Sequence, residues 1–372
     1  MADWFGKDTP KLGFGLMRLP KRGLGIDVAQ TSEMVDRFLG AGFTYFDTAH
    51  VYAGSEAATK KALVDRYPRE SYTLATKLNA QVAPTAGMAR KQFQTSLDRT
   101  GAGYVDYYLL HALMDGNWKK HERLGLWEYV RGLKAEGLVR HVGFSFHGGP
   151  DLLDRLLTSH PEAEFVQLQL NYADWEDRSI TARANYEVAR AHGTSIVVME
   201  PVKGGRLANP PRDVAKLLEA ANPGASPASW AIRFAASLDG IITVLSGMSN
   251  LAQMDDNIGF MRDFRPLDEG EREVIRQAQV LLGKSSAIGC TACRYCCDGC
   301  PQLIPIPEVF AAMNLQLANG RLEEARAAYA TAIGAPGAGS AADCIACGQC
   351  EAACPQHLPI IRRLAEAAEQ LG

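Results

Sequence analysis

Short apolar runs alternate with amphipathic stretches up to about residue 265. Apolar residues between the runs recur at three- and four-residue intervals, as they do in helices that pack on one face. Strands are predicted at residues 12–15, 43–47, 72–76, 105–110, 139–144, 165–169, 195–200 and 241–246. Helices are predicted at residues 32–39, 56–64, 89–98, 126–135, 151–158, 182–191 and 227–236.

Eight strands that alternate with helices of this size favour an α/β fold, a (β/α)8 TIM barrel over residues 1–265. A doubly wound sheet is the alternative, but no G-x-G-x-x-G motif follows the first strand. The barrel therefore remains the leading prediction.

The rest of the chain predicts a connecting helix over residues 266–284 and a small, mostly α-helical domain over residues 285–372. Within this domain, helical segments are predicted at residues 306–332 and 360–370. Residues 334–342 are rich in Gly and Ala, and this composition indicates a flexible linker.

Eight of the nine cysteines lie in two runs with the spacing C-x2-C-x2-C-x3-C-P. This spacing is the ligand pattern of bacterial two-cluster ferredoxins, in which the fourth cysteine of each run binds the cluster of the other run. We therefore expect a ferredoxin-like domain with two 4Fe-4S clusters. The expected ligands are Cys290, Cys293, Cys296 and Cys354 for cluster 1, and Cys344, Cys347, Cys350 and Cys300 for cluster 2.

Structural zinc and disulfides are the alternatives for these cysteines. Zinc usually takes four ligands from two C-x2-C pairs, without the closing proline of each run. Disulfide frameworks are typical of small secreted chains, and this chain has 372 residues. Cys297 breaks the ligand spacing and is predicted to be a buried small residue.

Composition narrows the function classes. The chain is 47% hydrophobic and 22% charged, and its formal net charge of −3 gives no electrostatic case for binding nucleic acid or an anionic membrane. No apolar run is long enough to span a bilayer, and the first residues lack a signal-peptide pattern. Because cluster ligands must also stay reduced, we expect a cytoplasmic protein.

Four polar residues follow predicted strands, namely Asp47, Tyr52, Lys77 and His111. Active sites of TIM barrels lie at the carboxyl ends of the strands. A hydride that reaches a carbonyl carbon leaves charge on the oxygen, which needs a proton, and Tyr52 could supply it. An ordinary phenol has a pKa near 10, and a neighbouring Lys77, held by Asp47, would lower it. His111 could orient the carbonyl. The alternatives are a structural ion pair for Asp47 and Lys77, and a core histidine for His111.

These residues stand in motifs that resemble the aldo/keto reductase family. The motifs are Phe46-Asp47-Thr48-Ala49 with Tyr52, Gly54-Ser55-Glu56, Lys77, and Gly143-Phe144-Ser145. The resemblance extends to about residue 260, and the whole chain is similar to the branch with a C-terminal ferredoxin-type domain. It implies reduction of a small carbonyl or conjugated carbonyl substrate and assigns the same roles to the four polar residues.

The resemblance also implies a nicotinamide nucleotide site. Ser145, Gln167 and Asn171 fit the carboxamide-binding pattern of the family. The loop after the last strand would contribute Ser246, Gly247 and Ser249. Lys203, Gly204 and Gly205 could bind a pyrophosphate through backbone N–H groups and charge, and a solvated loop is the alternative. A single flavin phosphate also suits such loops.

The chain departs from the family pattern at three places. Phe146 stands where the family usually has Asn, and Met199 stands where an aromatic ring stacks on the nicotinamide. No Lys or Arg follows Ser246 before Arg262 to bind a 2′-phosphate. NAD(P)H is therefore the expected nucleotide. The missing cation argues against NADPH and leaves NADH, and FMN is a further alternative.

The barrel and the cysteine-rich domain are expected to transfer different numbers of electrons. A nicotinamide gives up two electrons together as a hydride, whereas a 4Fe-4S cluster passes one at a time. The barrel could be a plain NAD(P)H-dependent reductase whose clusters are structural or redox-sensing. Alternatively, the clusters could pass electrons from ferredoxin or another redox protein to a flavin or to the bound substrate. The barrel could also be a docking scaffold for an electron carrier or redox sensor. The four polar residues favour a reductase.

Overall fold

The structure, a computed structural model, describes residues 9–372, with only the backbone of Asn319. By its contacts the described chain divides into two units, which are considered separately below. Unit 1 comprises residues 9–177, 181–202 and 228–272, and unit 2 comprises residues 178–180, 203–227 and 273–372.

Strands of unit 1 form a closed parallel barrel and a small hairpin. In the described part of the chain the strands are β1 (Leu12–Gly15), β2 (Lys21–Arg22), β3 (Gly25–Ile26), β4 (Tyr45–Asp47), β5 (Thr73–Leu78), β6 (Val105–Leu113), β7 (Val139–Phe146), β8 (Phe165–Gln169), β9 (Ser195–Met199) and β10 (Ile241–Ser246). The barrel order is β1-β10-β9-β8-β7-β6-β5-β4, whereas β2 and β3 pair antiparallel. The predicted TIM barrel is confirmed.

Helices follow the barrel strands and continue into unit 2. They are α1 (Val28–Gly40), α2 (Ser55–Thr59), α3 (Ala86–Thr100), α4 (Trp118–Arg123), α5 (Leu126–Ala135), α6 (Pro150–Ser159), α7 (Ala182–Ala191), α8 (Arg212–Ala221), α9 (Pro227–Ala236), α10 (Leu251–Met261), α11 (Glu269–Leu282), α12 (Tyr295–Asp298), α13 (Ile306–Asn319), α14 (Leu322–Ile333), α15 (Gln349–Ala352) and α16 (Ile360–Leu371). The helix predicted at 56–64 is α2 followed by a π-helical turn, Lys60–Val64.

Aromatic side chains fill the interior of the barrel. The ring centroid of Tyr107 lies 5.0 Å from that of Tyr45 and 5.1 Å from that of Phe165. Gly143 makes room for this layer, because a Cβ atom there would lie 2.4 Å from the Phe165 carbonyl oxygen. The packed layer leaves the polar residues of the motifs at the carboxyl ends of the strands.

Unit 2 has its own apolar core, built mainly by α13, α14 and α16. Its buried side chains include Val309, Phe310, Met313, Tyr329 and Leu364. The helical segment predicted at 306–332 is two helices, because the chain turns at a glycine with φ +67° directly after α13.

The segment predicted to be a linker ends in an ordered turn. Ser340 and Asp343 form a capping box, and the backbone N–H of buried Ala341 donates to the Tyr329 hydroxyl over 3.0 Å. This end of the segment is therefore fixed to the core of unit 2. Among the helices in the described residues, none combines the length and apolar character needed to cross a bilayer.

Candidate active site and cluster-binding cavities

A buried ion pair lies at the carboxyl ends of β4 and β5. The Lys77 ammonium donates to Asp47 Oδ1 over 2.5 Å and to the Thr48 carbonyl oxygen over 2.7 Å. The Lys77 side chain is 0% exposed and that of Asp47 is 5% exposed. Such a charge is tolerated in the interior only when paired and hydrogen-bonded, so the position of the Lys77 ammonium is closely defined.

Tyr52 and His111 complete the group of four polar residues. The Lys77 ammonium lies 3.5 Å from the Tyr52 hydroxyl oxygen. The Tyr52 ring meets the His111 ring edge to face, with the centroids 5.9 Å apart. The structure therefore brings together the four residues that the sequence singled out, with Tyr52 half-buried and the other three buried.

Burial sets the protonation of this group. It raises the pKa of Asp47, while the charge and hydrogen bond of Lys77 oppose that rise. Burial lowers the pKa of Lys77, and the charge and hydrogen bond of Asp47 oppose that fall. Burial and then the nearby Lys77 charge hold the pKa of His111 well below its usual value. The His111 imidazole is thus neutral at neutral pH, with one N–H able to donate a hydrogen bond.

The three residues predicted to bind the carboxamide are buried in unit 1. The Gln167 side-chain amide donates to Asp47 Oδ2 over 3.2 Å. The Ser145 hydroxyl oxygen accepts from the Ala112 N–H over 2.8 Å, which leaves its own proton to be donated elsewhere. The Asn171 amide donates to Asp174 and to the Glu200 carbonyl oxygen. These contacts fix the orientation of each side chain.

Arg18 is a cation that the sequence reasoning missed. Residues Leu16–Arg18 form a short helical turn directly after β1, which pairs with β10 in the barrel. A Cβ atom on Gly247 would lie 3.5 Å from Arg18 Cδ, and the Ser249 hydroxyl donates to the Arg18 carbonyl oxygen over 2.7 Å. The guanidinium also lies 3.8 Å from the Glu200 carboxylate. The loop after β10 thus has a cation beside it, supplied by a distant part of the sequence.

The other predicted residues fall in two places. Ser246 accepts a hydrogen bond from Asn257 over 2.7 Å within unit 1. Lys203, Gly204 and Gly205 form a short turn that belongs to unit 2. The sequence gives no signal for that grouping, because it depends on contacts with residues far along the chain.

Two cavities in unit 2 are lined by cysteines from both runs. Cys290, Cys293, Cys296 and Cys354 line one cavity. Cys300, Cys344, Cys347 and Cys350 line a second cavity. The last cysteine of each run therefore lies with the first three of the other run.

The spread of the cysteines distinguishes a cluster from a single ion. Within residues 9–372, no group of three or more His, Cys, Asp or Glu side chains converges as ligands of one metal ion would. Four thiols around a cavity fit instead the four corners of an iron–sulfur cluster. Cys297 is half-buried and packs against the apolar core of unit 2.

Family models divide the chain in the same order. The model described as the aldo/keto reductase family matches residues 11–279, and the model described as a 4Fe-4S dicluster domain matches residues 289–359.

Curated proteins and solved structures resemble the first of these regions. An aldo-keto reductase from Mycolicibacterium smegmatis is 30% identical over 273 residues, which are 68% of this chain and 89% of the relative. A 9,11-endoperoxide prostaglandin H2 reductase from Trypanosoma cruzi is 25% identical over 264 residues, which are 69% of this chain and 87% of the relative.

Among solved structures, an aldo-keto reductase from Bacillus halodurans (holo form) is 25% identical with a TM-score of 0.58, and the match covers 72% of this chain and 91% of that chain. An aldo/keto reductase from Klebsiella pneumoniae, in complex with NADP and acetate, is 19% identical with a TM-score of 0.59; the match covers 73% of this chain and 92% of that chain. At 19% identity the second likeness shows the fold alone.

Proposed function

Because the chain belongs to the aldo/keto reductase family and carries a 4Fe-4S dicluster domain, we propose that it reduces a carbonyl or conjugated carbonyl group of a small molecule, with Tyr52 as proton donor. Family and domain together make the chain an oxidoreductase with iron–sulfur electron transfer. The observation that carries the proposal is the Lys77 ammonium, which lies between the Asp47 carboxylate and the Tyr52 hydroxyl.

The four polar residues have distinct roles in this reaction. Tyr52 gives its hydroxyl proton to the carbonyl oxygen, and the Lys77 charge stabilises the phenolate that remains. Asp47 and the Thr48 carbonyl oxygen hold the Lys77 ammonium in place. His111, neutral because it is buried, donates a hydrogen bond that orients the substrate carbonyl.

NAD(P)H is the proposed hydride source. When bound, a reduced nicotinamide supplies the two electrons and one hydrogen that the carbonyl carbon receives. Ser145, Gln167 and Asn171 would bind its carboxamide, and the loop from Ser246 to Ser249 would bind phosphate with Arg18 beside it. The Klebsiella pneumoniae aldo/keto reductase, which shares this fold, is in complex with NADP.

The dicluster domain is proposed to bind its two 4Fe-4S clusters by crossed ligation. Cluster 1 would take Cys290, Cys293, Cys296 and Cys354, which line one cavity. Cluster 2 would take Cys300, Cys344, Cys347 and Cys350, which line the other. When bound, the clusters pass single electrons.

A second candidate is a reductase fed with electrons through the clusters by a ferredoxin-like redox protein. The observation that favours it is the exposure of Cys347, since a partner could then approach cluster 2 closely. The presence of Met199 in place of the stacking aromatic also weakens the nicotinamide side of the first candidate.

Turnover by the cluster-loaded full chain tests the first candidate. NADPH and NADH oxidation is measured with a panel of small aldehydes, ketones and α-dicarbonyls. Tyr52→Phe is expected to lower kcat by about 100-fold or more, with the cluster absorption unchanged. The matched control is Tyr129→Phe, because the Tyr129 hydroxyl donates only to the backbone of Arg90 in α3.

Two outcomes would contradict this candidate. Unchanged turnover by Tyr52→Phe would remove Tyr52 from the reaction. Turnover that requires a reduced ferredoxin, or a flavin released on denaturation, would favour the second candidate instead. Cluster-free protein that still oxidises NADPH with a carbonyl would support the first.

A further inference from the structure

The turn Lys203-Gly204-Gly205-Arg206, called the KGGR turn below, follows β9 and belongs to unit 2. Its backbone lies against the start of the first cysteine run. A Cβ atom on Gly204 would lie 2.6 Å from both the Cα and the carbonyl oxygen of Thr291. Gly204 also has φ +65°, so this position requires glycine both for its conformation and for the close approach. Thr291 directly follows Cys290, a proposed ligand of cluster 1.

Arg206 contacts the same segment through its side chain. Its guanidinium donates a hydrogen bond to the carbonyl oxygen of buried Ile288, two residues before Cys290. The Asn314 side chain of α13 donates to the same oxygen over 3.0 Å and accepts from the Ile288 N–H over 2.7 Å. Ile288 is thus held from both sides, and the Arg206 guanidinium is fixed on the backbone two residues before Cys290.

Lys203 brings a second positive charge to this segment. A Cβ atom on Gly289 would lie 3.7 Å from Lys203 Cε and 3.9 Å from Lys203 Nζ. The Lys203 ammonium therefore lies beside the residue that precedes Cys290.

The second cavity has a different environment. Arg294 lines the cavity of cluster 1, and the two cations of the KGGR turn contact the segment that leads into Cys290. Among the described residues that line the cavity of cluster 2, none is charged, and these residues include Ile304, Ile345 and Leu364. The two cavities therefore differ in the positive charge around them.

We propose that the KGGR turn forms a wall of the cluster 1 site, and that Lys203 and Arg206 raise the reduction potential of cluster 1 above that of cluster 2. Reduction adds one negative charge to a cluster, so nearby cations stabilise the reduced form. An electron that enters at cluster 2, beside exposed Cys347, then moves downhill to cluster 1. The inference rests on the proposed ligation of cluster 1 by Cys290, Cys293, Cys296 and Cys354.

Redox titration of the cluster-loaded full chain, followed by electron paramagnetic resonance, tests this assignment. Cys293→Ser replaces a proposed ligand of cluster 1, so the signal whose line shape changes in this variant is assigned to cluster 1. Arg206→Gln is expected to lower the ratio of reduced to oxidised cluster 1 by about tenfold at a given solution potential, which is about 59 mV for one electron. The reduction potential of cluster 2 should not change. Arg206→Lys, which keeps the positive charge, should leave the potential of cluster 1 close to that of the unmodified chain.

Lys203→Gln is the second variant, because Lys203 Nζ lies beside Gly289 whereas Arg206 carries the hydrogen bond to Ile288. Lys203→Gln should lower the reduction potential of cluster 1 as well, even if Arg206→Gln loses iron. Arg321→Gln, at an exposed ion pair with Glu324, is the matched control. NADPH affinity is measured on the same variants and should not change.

Three results would overturn the inference. Potentials that stay unchanged in both variants with full iron content would remove the KGGR turn from the cluster 1 site. Weaker NADPH binding with unchanged potentials would mean that the turn binds pyrophosphate instead. If the unmodified chain contains too little iron for two 4Fe-4S clusters, the proposed ligation fails together with the inference.

Discussion

Gln167 donates a hydrogen bond to Asp47 Oδ2, on the carboxylate oxygen opposite the one that binds Lys77. A residue predicted to bind the nicotinamide carboxamide therefore also orients the carboxylate that holds the Lys77 ammonium. The proposed nucleotide site and the proposed proton donor therefore depend on the same side chain, since β4 and β8 both end at the same face of the barrel.

Asp47→Asn should move the alkaline limit of activity to lower pH. Burial lowers the pKa of Lys77, and the Asp47 charge opposes that fall. Without the carboxylate, the pKa of Lys77 falls further, so Lys77 loses its positive charge at a lower pH. The measurement is kcat against pH for the unmodified chain and the variant.

Asp255→Asn is the control for this profile, because Asp255 forms an exposed ion pair with Arg37. Its profile should match that of the unmodified chain. An unshifted profile for Asp47→Asn would mean that Lys77 does not limit activity at high pH.

Cys354→Ala should damage cluster 1 and spare cluster 2. Cys354 lies in the second cysteine run but lines the cavity of Cys290, Cys293 and Cys296. Iron analysis and electron paramagnetic resonance would show the loss of one cluster signal, the one that Cys293→Ser also changes. Cys297→Ala is the matched control and should keep both clusters. Loss of the cluster 2 signal alone would disprove the crossed ligation.

Arg18→Gln should weaken NADPH binding by about tenfold, which corresponds to about 1.4 kcal/mol, and NADH binding by much less. The Arg18 side chain lies beside Gly247 in the loop after β10 and can pair with a phosphate that only NADPH carries. Dissociation constants of both nucleotides, measured by fluorescence, check the difference. Arg22→Gln, at an exposed position of β2, should affect neither nucleotide. Equal losses for the two nucleotides would place Arg18 away from the 2′-phosphate.

Gly204→Ala should destabilise unit 2 by more than Gly205→Ala. Both glycines have positive φ, +65° and +96°, so each alanine meets a conformational penalty of about 1–2 kcal/mol. Only at Gly204 would the added Cβ also collide with the Thr291 backbone, because the space around Gly205 is open. Thermal unfolding and iron retention of the two variants measure the difference. Equal effects would mean that the turn does not pack against Thr291.

Local patterns were sufficient to predict the barrel and its polar group of four. Alternating strand and helix signals predicted β8 and β10 with their observed bounds, because continuous apolar runs mark buried parallel strands. Asp47 and Lys77 were predictable since each lies at the end of its own strand. The cysteine spacing likewise predicted which thiols would lie together.

Contacts between distant segments were not predictable from these patterns. Arg18 reaches Gly247 because β1 and β10 close the barrel, although they lie near opposite ends of unit 1 in sequence. The grouping of Lys203 with unit 2 depends on close packing with Thr291, which periodicity cannot reveal. Side-chain reach and backbone approach across such sequence distances require the folded structure.

The exposure of Cys347 has a consequence for the oxidation of the protein in air. Cys350 and Cys354 are buried, whereas Cys347 presents one corner of its cavity to solvent. Dissolved oxygen and peroxide attack accessible thiolates first. Oxidative damage should therefore begin at the proposed cluster 2 and block the proposed entry of electrons there, while the buried Asp47–Lys77 pair of unit 1 stays intact.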